Sequence, residues 1–162
     1  MTEMTAAQSR NLHVGIDIGS TTVKAVVLDA DTNEELFGVY RRHGSQQIQA
    51  TLRVLDEIVA RFPLSHIRCA LCGSGSEDIA RGIGAPFIQE VVAGATAVRA
   101  LYPQANCTIE LGGQDAKMIF FRHDESGVQE LGDMRMNGSC AGGTGAFIDE
   151  VAEVLSIPVE QF

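Results

Sequence analysis

The chain has 162 residues, with 21 Asp or Glu against 12 Lys or Arg, and its formal net charge at pH 7 is −9. This acidic balance argues against a general nucleic-acid surface or an anionic-membrane surface, because either needs a basic face. No apolar run approaches the roughly 20 residues of a membrane-spanning helix, and no signal peptide is visible at the N-terminus. The four cysteines lack the density of a disulfide framework and fit a reducing compartment. We therefore expect a cytoplasmic α/β protein.

Hydrophobic periodicity and turn residues predict the elements in chain order. Residues 1–12 are small and polar, and we expect a disordered tail there. The predicted strands cover residues 13–18, 23–28, 36–41, 67–71, 107–111, 116–122 and 128–131. The predicted helices cover residues 46–62, 76 to 82 or 84, 90–102 and a last segment that begins near Phe147. An antiparallel meander followed by crossover helices predicts a mixed sheet of antiparallel and parallel strands with flanking helices.

Apolar stripes at spacings of three and four residues identify two of these helices. In the first helix the stripe consists of Ile48, Leu52, Leu55, Ile58 or Val59, and Phe62. In the last helix it consists of Phe147, Val151, Val154 and Leu155.

The first candidate site is the glycine turn within Asp17–Lys24, with sequence DIGSTTVK. Gly19 lets the backbone approach a ligand closely, and the N–H groups of such a turn can form an anion-binding nest. Additional hydroxyl donors come from Ser20, Thr21 and Thr22. Asp17, at a strand end, could hold Mg²⁺ through water, and the charge of Lys24 could meet a phosphate. The alternative is an ordinary Gly-Ser hairpin with a solvated lysine.

A second turn of similar design lies within Glu110–Lys117, with sequence ELGGQDAK. Gly112 and Gly113 permit another close backbone approach, and Lys117 has the offset from them that a charge partner would need. The polar pair Gln114 and Asp115 could orient a water or share the metal ion. The similar design of the two turns predicts two facing hairpins that clamp a triphosphate. Neither turn matches the P-loop or the dinucleotide-binding glycine fingerprint, so these classical phosphate loops are excluded.

The third candidate is Cys140, in the glycine-rich segment 137–147 directly ahead of the last predicted helix. A thiolate is favoured at a helix N-terminus, and thiolates bind iron–sulfur clusters. The alternative is a buried cysteine in a tight loop beside a phosphate site. The other cysteines are not assigned a function: Cys69 and Cys72 lie on a strand and its turn, and Cys107 opens a strand that we expect to be buried. The four histidines are scattered, and we expect them at the surface or at strand ends.

Together, the segments DIGSTTVK, ELGGQDAK and NGSCAGGTGAF resemble the activator ATPases of 2-hydroxyacyl-CoA dehydratases and the related ATPase subunits of benzoyl-CoA reductase. The resemblance covers about residues 12–162 and places the chain in the superfamily of acetate and sugar kinases, actin and heat-shock chaperone ATPases. It implies a ribonuclease-H-like, actin-like ATPase lobe. One departure is Glu110, where members of this family usually carry Asp.

The resemblance also implies the cofactors and partners. ATP or ADP with Mg²⁺ would bind at the two turns, and the catalytic residues would be Asp17, Gln114 and Asp115. Cys140 would bind a [4Fe–4S] cluster shared across a homodimer, and ATP hydrolysis would drive an electron into a dehydratase or reductase partner. Residues 13–162 would form the N-terminal lobe with the second lobe absent, so we expect weak nucleotide affinity and no rapid turnover from this chain alone.

Two other functions remain open at this point. A sugar or small-molecule kinase of the same superfamily would use a cleft acid, such as Asp115, as the general base on a hydroxyl group. A non-enzymatic nucleotide-sensing module would keep Cys140 only as a packed residue.

Overall fold

A computed structural model describes residues 9–113, 115–127, 129–137 and 144–161, with the backbone only at Ala146 and Glu160. The chain separates into two compact units, Met1–Gln89 and Glu90–Phe162. The prediction of one lobe over residues 13–162 stays a prediction.

The first unit is built on a four-stranded mixed sheet. Its elements are β1 (Asn11–Ile18), β2 (Thr22–Asp29), β3 (Glu35–Arg42), α1 (Gln47–Arg61), β4 (His66–Cys72) and α2 (Glu77–Ile83). The strand order is β3-β2-β1-β4; the first three strands form the predicted antiparallel meander, and β4 pairs parallel to β1. Because a parallel neighbour needs a crossover, the connection through α1 follows from this pairing.

The core of this unit comes from strict alternation along β1, where Leu12, Val14, Ile16 and Ile18 are all buried. The face of α1 that joins this core contains Ala50, Val54 and Ile58. Part of the stripe that identified the helix agrees with this face, since Ile58 is buried and Leu55 and Phe62 pack against the core, whereas Ile48, Leu52 and Val59 are exposed. The helix has two apolar faces. The face that contains Ala50 packs against the sheet, and the small side chain of Ala50 permits a close approach.

The start of β1 corrects the predicted tail. The strand begins at Asn11 rather than at residue 13, and Leu12 is fully buried. The backbone carbonyl of Arg10 also accepts a hydrogen bond from the N–H of His66. Residues 11 and 12 therefore belong to the fold, while residues 1–8 of the predicted tail lie outside the described part of the chain.

The second unit contains α3 (Glu90–Leu101), β5 (Cys107–Leu111), β6 (Ala116–His123), β7 (Gln129–Met136), α4 (Gly145–Leu155) and a 3₁₀ helix at Val159–Gln161. Its sheet is purely antiparallel in the order β5-β6-β7, so only the first unit carries the mixed sheet. A small core of Ala95, Ile119 and Phe121 packs with Val91 and Val98 of α3. The last strand extends to Met136, beyond its predicted end at residue 131, because β7 pairs along most of β6.

The helix α4 forms as predicted, but much of its apolar stripe is exposed. Phe147, Val154 and Leu155 are on the surface, whereas Ala152 is buried. In the described residues, no helix is both long and apolar enough to cross a membrane. The predicted fold class, an α/β fold with antiparallel and parallel strands and flanking helices, is confirmed.

Candidate functional site: two glycine turns

The first glycine turn joins β1 to β2, at the carboxyl end of β1 and beside that of the parallel strand β4. Ligands of open α/β sheets bind outside such strand ends. The N–H of Gly19 donates to the carbonyl of Thr22 at 2.9 Å. Asp17 and Lys24 are opposite each other in the strand register, and Nζ of Lys24 lies 2.8 Å from Oδ2 of Asp17. The structure thus brings two of the predicted site residues, Asp17 and Lys24, into one ion pair.

The second carboxylate oxygen of Asp17 has a different environment. Among the described residues, Oδ1 is buried and has no hydrogen-bond partner. A buried carboxylate oxygen without a partner is costly unless a ligand or a water satisfies it. Oxygen ligands, often through water, are what Mg²⁺ prefers, so Asp17 fits the predicted role at a magnesium-bound water.

The other predicted residues of this turn differ in their exposure. Ser20 and Thr21 are half-buried, and Thr22 is buried. The ammonium group of Lys24 also lies 5.7 Å from the ring centroid of Tyr40, in a cation–π contact. Phosphate binding by these residues and by Gly19 remains a prediction.

Two residues that the sequence did not identify contact this turn. The carbonyl of Gly19 lies 3.1 Å from Nε2 of His43 and accepts a hydrogen bond from Nε2 of Gln47 at 3.3 Å. His43 was expected at the surface or at a strand end; it follows β3 directly, but it is buried. The sequence signal that could have identified His43 is a polar residue directly after the third strand of a meander.

The second glycine turn repeats the plan of the first. The N–H of Gly112 donates to the carbonyl of Asp115 at 2.8 Å, and Glu110 is opposite Lys117 in the register of β5 and β6. A Cβ atom at Gly112 would lie 2.9 Å from the carbonyl oxygen of Asp115, so only glycine allows this approach. Gly113 follows directly in the same turn.

Lys117 is buried, and three carboxylates surround its ammonium group. Nζ lies 3.1 Å from Glu90, 3.2 Å from Asp115 and 3.7 Å from Glu110. Burial by itself lowers the pKa of Lys117, but the hydrogen bonds to Glu90 and Asp115 and the charge of Glu110 outweigh it, and the pKa is raised. The charge of Lys117 is therefore matched by protein carboxylates, and its role at a phosphate remains a prediction.

Gln114 and Cys140 lie outside the described residues. The described part of the chain contains no cluster of three or more His, Cys, Asp or Glu residues that could hold a metal ion. The proposed roles of Gln114 in catalysis and of Cys140 at an iron–sulfur cluster stay predictions.

The accessible cysteine in β5 leads to a labelling prediction. Cys107 is exposed, which corrects the expectation of a buried strand there, whereas burial raises the pKa of the Cys69 thiol. Since the thiolate is the nucleophile, we expect iodoacetamide at neutral pH to modify Cys107 well before Cys69. Peptide mass spectrometry over a time course measures this order, with unfolded protein as the control. Faster labelling of Cys69 in the folded protein would contradict the observed burial.

The sequence profile of the BadF/BadG/BcrA/BcrD ATPase family matches residues 14–162, which is most of the chain and includes both turns. The chain belongs to the BadF/BadG/BcrA/BcrD ATPase family. This family assignment confirms the resemblance drawn from the three sequence segments.

Two relatives of this chain are activators of CoA dehydratases. The (R)-2-hydroxyglutaryl-CoA dehydratase activating ATPase of Acidaminococcus fermentans is 27% identical over 148 residues, covering 90% of the chain and 54% of that protein. The activator of lactoyl-CoA dehydratase of Anaerotignum propionicum is 31% identical over 160 residues, covering 91% of the chain and 55% of that protein. The chain thus spans about half the length of these relatives.

A solved structure shares the fold. The activator of 2-hydroxyisocaproyl-CoA dehydratase from Clostridium difficile, with bound ADPNP, superposes with a TM-score of 0.76 at 29% identity. The match covers 91% of the chain and 53% of the Clostridium difficile chain.

Proposed function

We propose that this chain is a nucleotide-binding part of an ATP-dependent activator of a 2-hydroxyacyl-CoA dehydratase or a related reductase. The observation that carries the proposal is the repeated turn, in which a strand-end acid faces a lysine across a glycine turn. The names of the relatives support the partner class, and the bound ADPNP of the Clostridium difficile activator supports the nucleotide.

In this proposal the first turn binds phosphate oxygens through the N–H groups around Gly19 and the hydroxyls of Ser20 and Thr21. Asp17 would hold a water of the Mg²⁺ ion through Oδ1, the buried oxygen that has no partner among the described residues. When bound, Mg²⁺ neutralises charge that develops on the phosphates. The second turn uses Gln114 and Asp115 to orient the attacking water, while Glu110 and Glu90 hold Lys117 beside Asp115.

The electron-transfer part of the proposal rests on the sequence resemblance. Cys140 would supply a ligand to a [4Fe–4S] cluster shared across a homodimer, and thiolates are the usual ligands of such clusters. ATP hydrolysis would be coupled to transfer of one electron from the reduced cluster to the partner enzyme, which leaves the cluster oxidised by one electron. We propose the cytoplasm as the site of action, because a cluster of this kind needs a reducing compartment.

The nucleotide part of the proposal is tested by Asp17→Asn in the longest natural form of the protein. The substitution keeps the size of the side chain but removes the charge that would hold a water of the Mg²⁺ ion, so we expect Mg-ATP hydrolysis to fall by about 100-fold. Asp56→Asn is the matched control, since Asp56 is exposed on α1 and should leave the rate unchanged. Equal rates in both variants would contradict the role of Asp17.

The cluster is tested by anaerobic iron–sulfur reconstitution of the same protein beside Cys140→Ser, read by iron content and electron paramagnetic resonance. We expect about four irons per dimer, lost in the variant. If neither protein binds iron but phosphate is transferred to a hydroxylated metabolite, the protein is a kinase of the superfamily instead.

A further inference from the structure

We propose that His43 and Gln47 are positioning residues that orient the first glycine turn for phosphate binding. This inference rests on the proposed function and extends it to residues outside the sequence motifs. It is carried by the hydrogen bonds that connect residues 43–47 to the carbonyl groups of Gly19 and Thr21.

The hydrogen bonds determine which tautomer His43 adopts. The backbone N–H of Ser45 donates to Nδ1 at 3.1 Å, so Nδ1 carries no hydrogen. Nε2 therefore carries it and donates to the carbonyl of Gly19 at 3.1 Å. With only 5% of the residue exposed, both ring nitrogens are used inside the protein.

Holding the carbonyls of the turn also orients its N–H groups. The backbone N–H of His43 donates to the carbonyl of Thr21 at 3.1 Å, so one residue holds two carbonyls of the turn. The described chain has no cis peptide bond, and in a trans peptide the C=O of one residue and the N–H of the next point in opposite directions. The N–H groups of Ser20 and Thr22 are consequently directed away from residues 43–47. An anion on that side would face the N–H groups of Ser20 and Thr22.

The backbone of residues 43–46 is shaped for these contacts. Gly44 and Ser45 both have positive φ angles, +54° and +64°, and the N–H of Gln46 donates to the carbonyl of His43 at 2.9 Å. This is the pattern of a type I′ turn. A non-glycine residue in the left-handed region costs free energy and persists only where its surroundings impose it. The turn places the N–H of Ser45 at His43 and leads directly into Gln47, the first residue of α1.

The second unit shows a related arrangement, in which the side-chain hydrogen bond runs in the opposite direction. Asn137 directly follows β7, as His43 follows β3, and its Oδ1 accepts a hydrogen bond from the N–H of Ala116 at 2.7 Å. Gly145, the first residue of α4, donates its N–H to the carbonyl of Gly112 at 2.8 Å. In both units, the residue after the third strand and the first residue of the next helix form hydrogen bonds to the glycine turn or to the residue directly after it. This recurrence indicates a role in shaping the turn beyond local packing.

Two variants of His43 separate positioning from packing. His43→Gln can keep a donor near the place of Nε2, whereas His43→Asn keeps a polar group near Nδ1 and loses the donor to Gly19. We expect His43→Asn to weaken Mg-ATP binding by about tenfold and His43→Gln by about twofold or less. Calorimetry on the longest natural form of the protein gives the affinities, and amide hydrogen exchange of residues 19–22 reports the order of the turn in the absence of nucleotide.

The inference is supported if His43→Gln keeps the affinity for Mg-ATP, His43→Asn loses it, and the turn amides exchange faster in His43→Asn alone. Wild-type affinity and exchange in His43→Asn would overturn it. If the wild-type protein binds no nucleotide, the proposed function fails, and amide exchange of residues 19–22 tests the positioning role by itself. Faster exchange in His43→Asn but not in His43→Gln supports that role. Equal exchange in the two variants overturns it.

Discussion

Replacement of Lys117 by methionine should lower the free energy of unfolding by about 3 kcal/mol at neutral pH. The Lys117 side chain is only 7% exposed, and the substitution removes the ammonium group that Glu90, Glu110 and Asp115 share. These carboxylates are 31%, 35% and 41% exposed, so solvent screening places the effect at the lower end of values for buried pairs. Urea unfolding at pH 7 measures the difference.

The pH dependence of this difference has a defined sign. The folded-state pKa of Lys117 is raised above its ordinary value of 10.5. The stabilisation is therefore fully present below the unfolded-state pKa and is lost as the pH rises through the higher folded-state pKa. The difference between wild type and Lys117→Met should stay constant from neutral pH up to the ordinary lysine pKa and shrink above it.

Arg81→Met is the matched control for Lys117→Met. Arg81 also contacts two carboxylates, Glu77 at 3.2 Å and Asp78 at 3.0 Å, but its side chain is 69% exposed. An exposed ion pair contributes little, and we expect a change of no more than about 0.5 kcal/mol. Equal losses in the two variants would show that the carboxylates around Lys117 are as well solvated as those around Arg81.

Replacement of Gly73 by alanine should lower the free energy of unfolding by about 4 kcal/mol. Gly73 directly follows β4 and has a φ of +95°, where a side chain is strained. A Cβ atom would also overlap Oδ1 of Asp17 and would lie 2.5 Å from the carbonyl oxygen of Ile18. Because Ile18 contributes backbone atoms, the strand end that carries Asp17 must move. Urea unfolding gives the stability, and we expect Mg-ATP binding to weaken with it.

Gly127→Ala separates the two causes of this loss. Gly127 has a similar φ of +81°, but a Cβ atom there would meet nothing within 4 Å. The strained backbone conformation is then the only cause, and we expect the free energy of unfolding to fall by about 1 kcal/mol. If Gly73→Ala costs no more than Gly127→Ala, the close approach of Gly73 to Asp17 and Ile18 does not constrain the strand end.

Much of the candidate site was predictable because its members are close in sequence. A tight glycine turn between antiparallel strands places residues before and after it opposite each other, so the pairs Asp17–Lys24 and Glu110–Lys117 follow from the strands and the turn. Glu90 could not be found in this way. It reaches Lys117 from the first residue of α3, across a distance in sequence that no local pattern spans.

The sequence by itself determined the order of strands and helices, most of their bounds to within one or two residues, and the two glycine turns. These depend on side-chain alternation, helical spacing and turn chemistry, which act between near neighbours in the chain. Only the tertiary structure decided that α1 buries Ala50 and Val54 rather than Ile48 and Leu52, and that His43 lies buried against Gly19. Each of these outcomes depends on the surface that another element presents after folding. A helix with two apolar faces can pack in more than one way until its neighbour is in place. The same is true of a histidine that follows a strand.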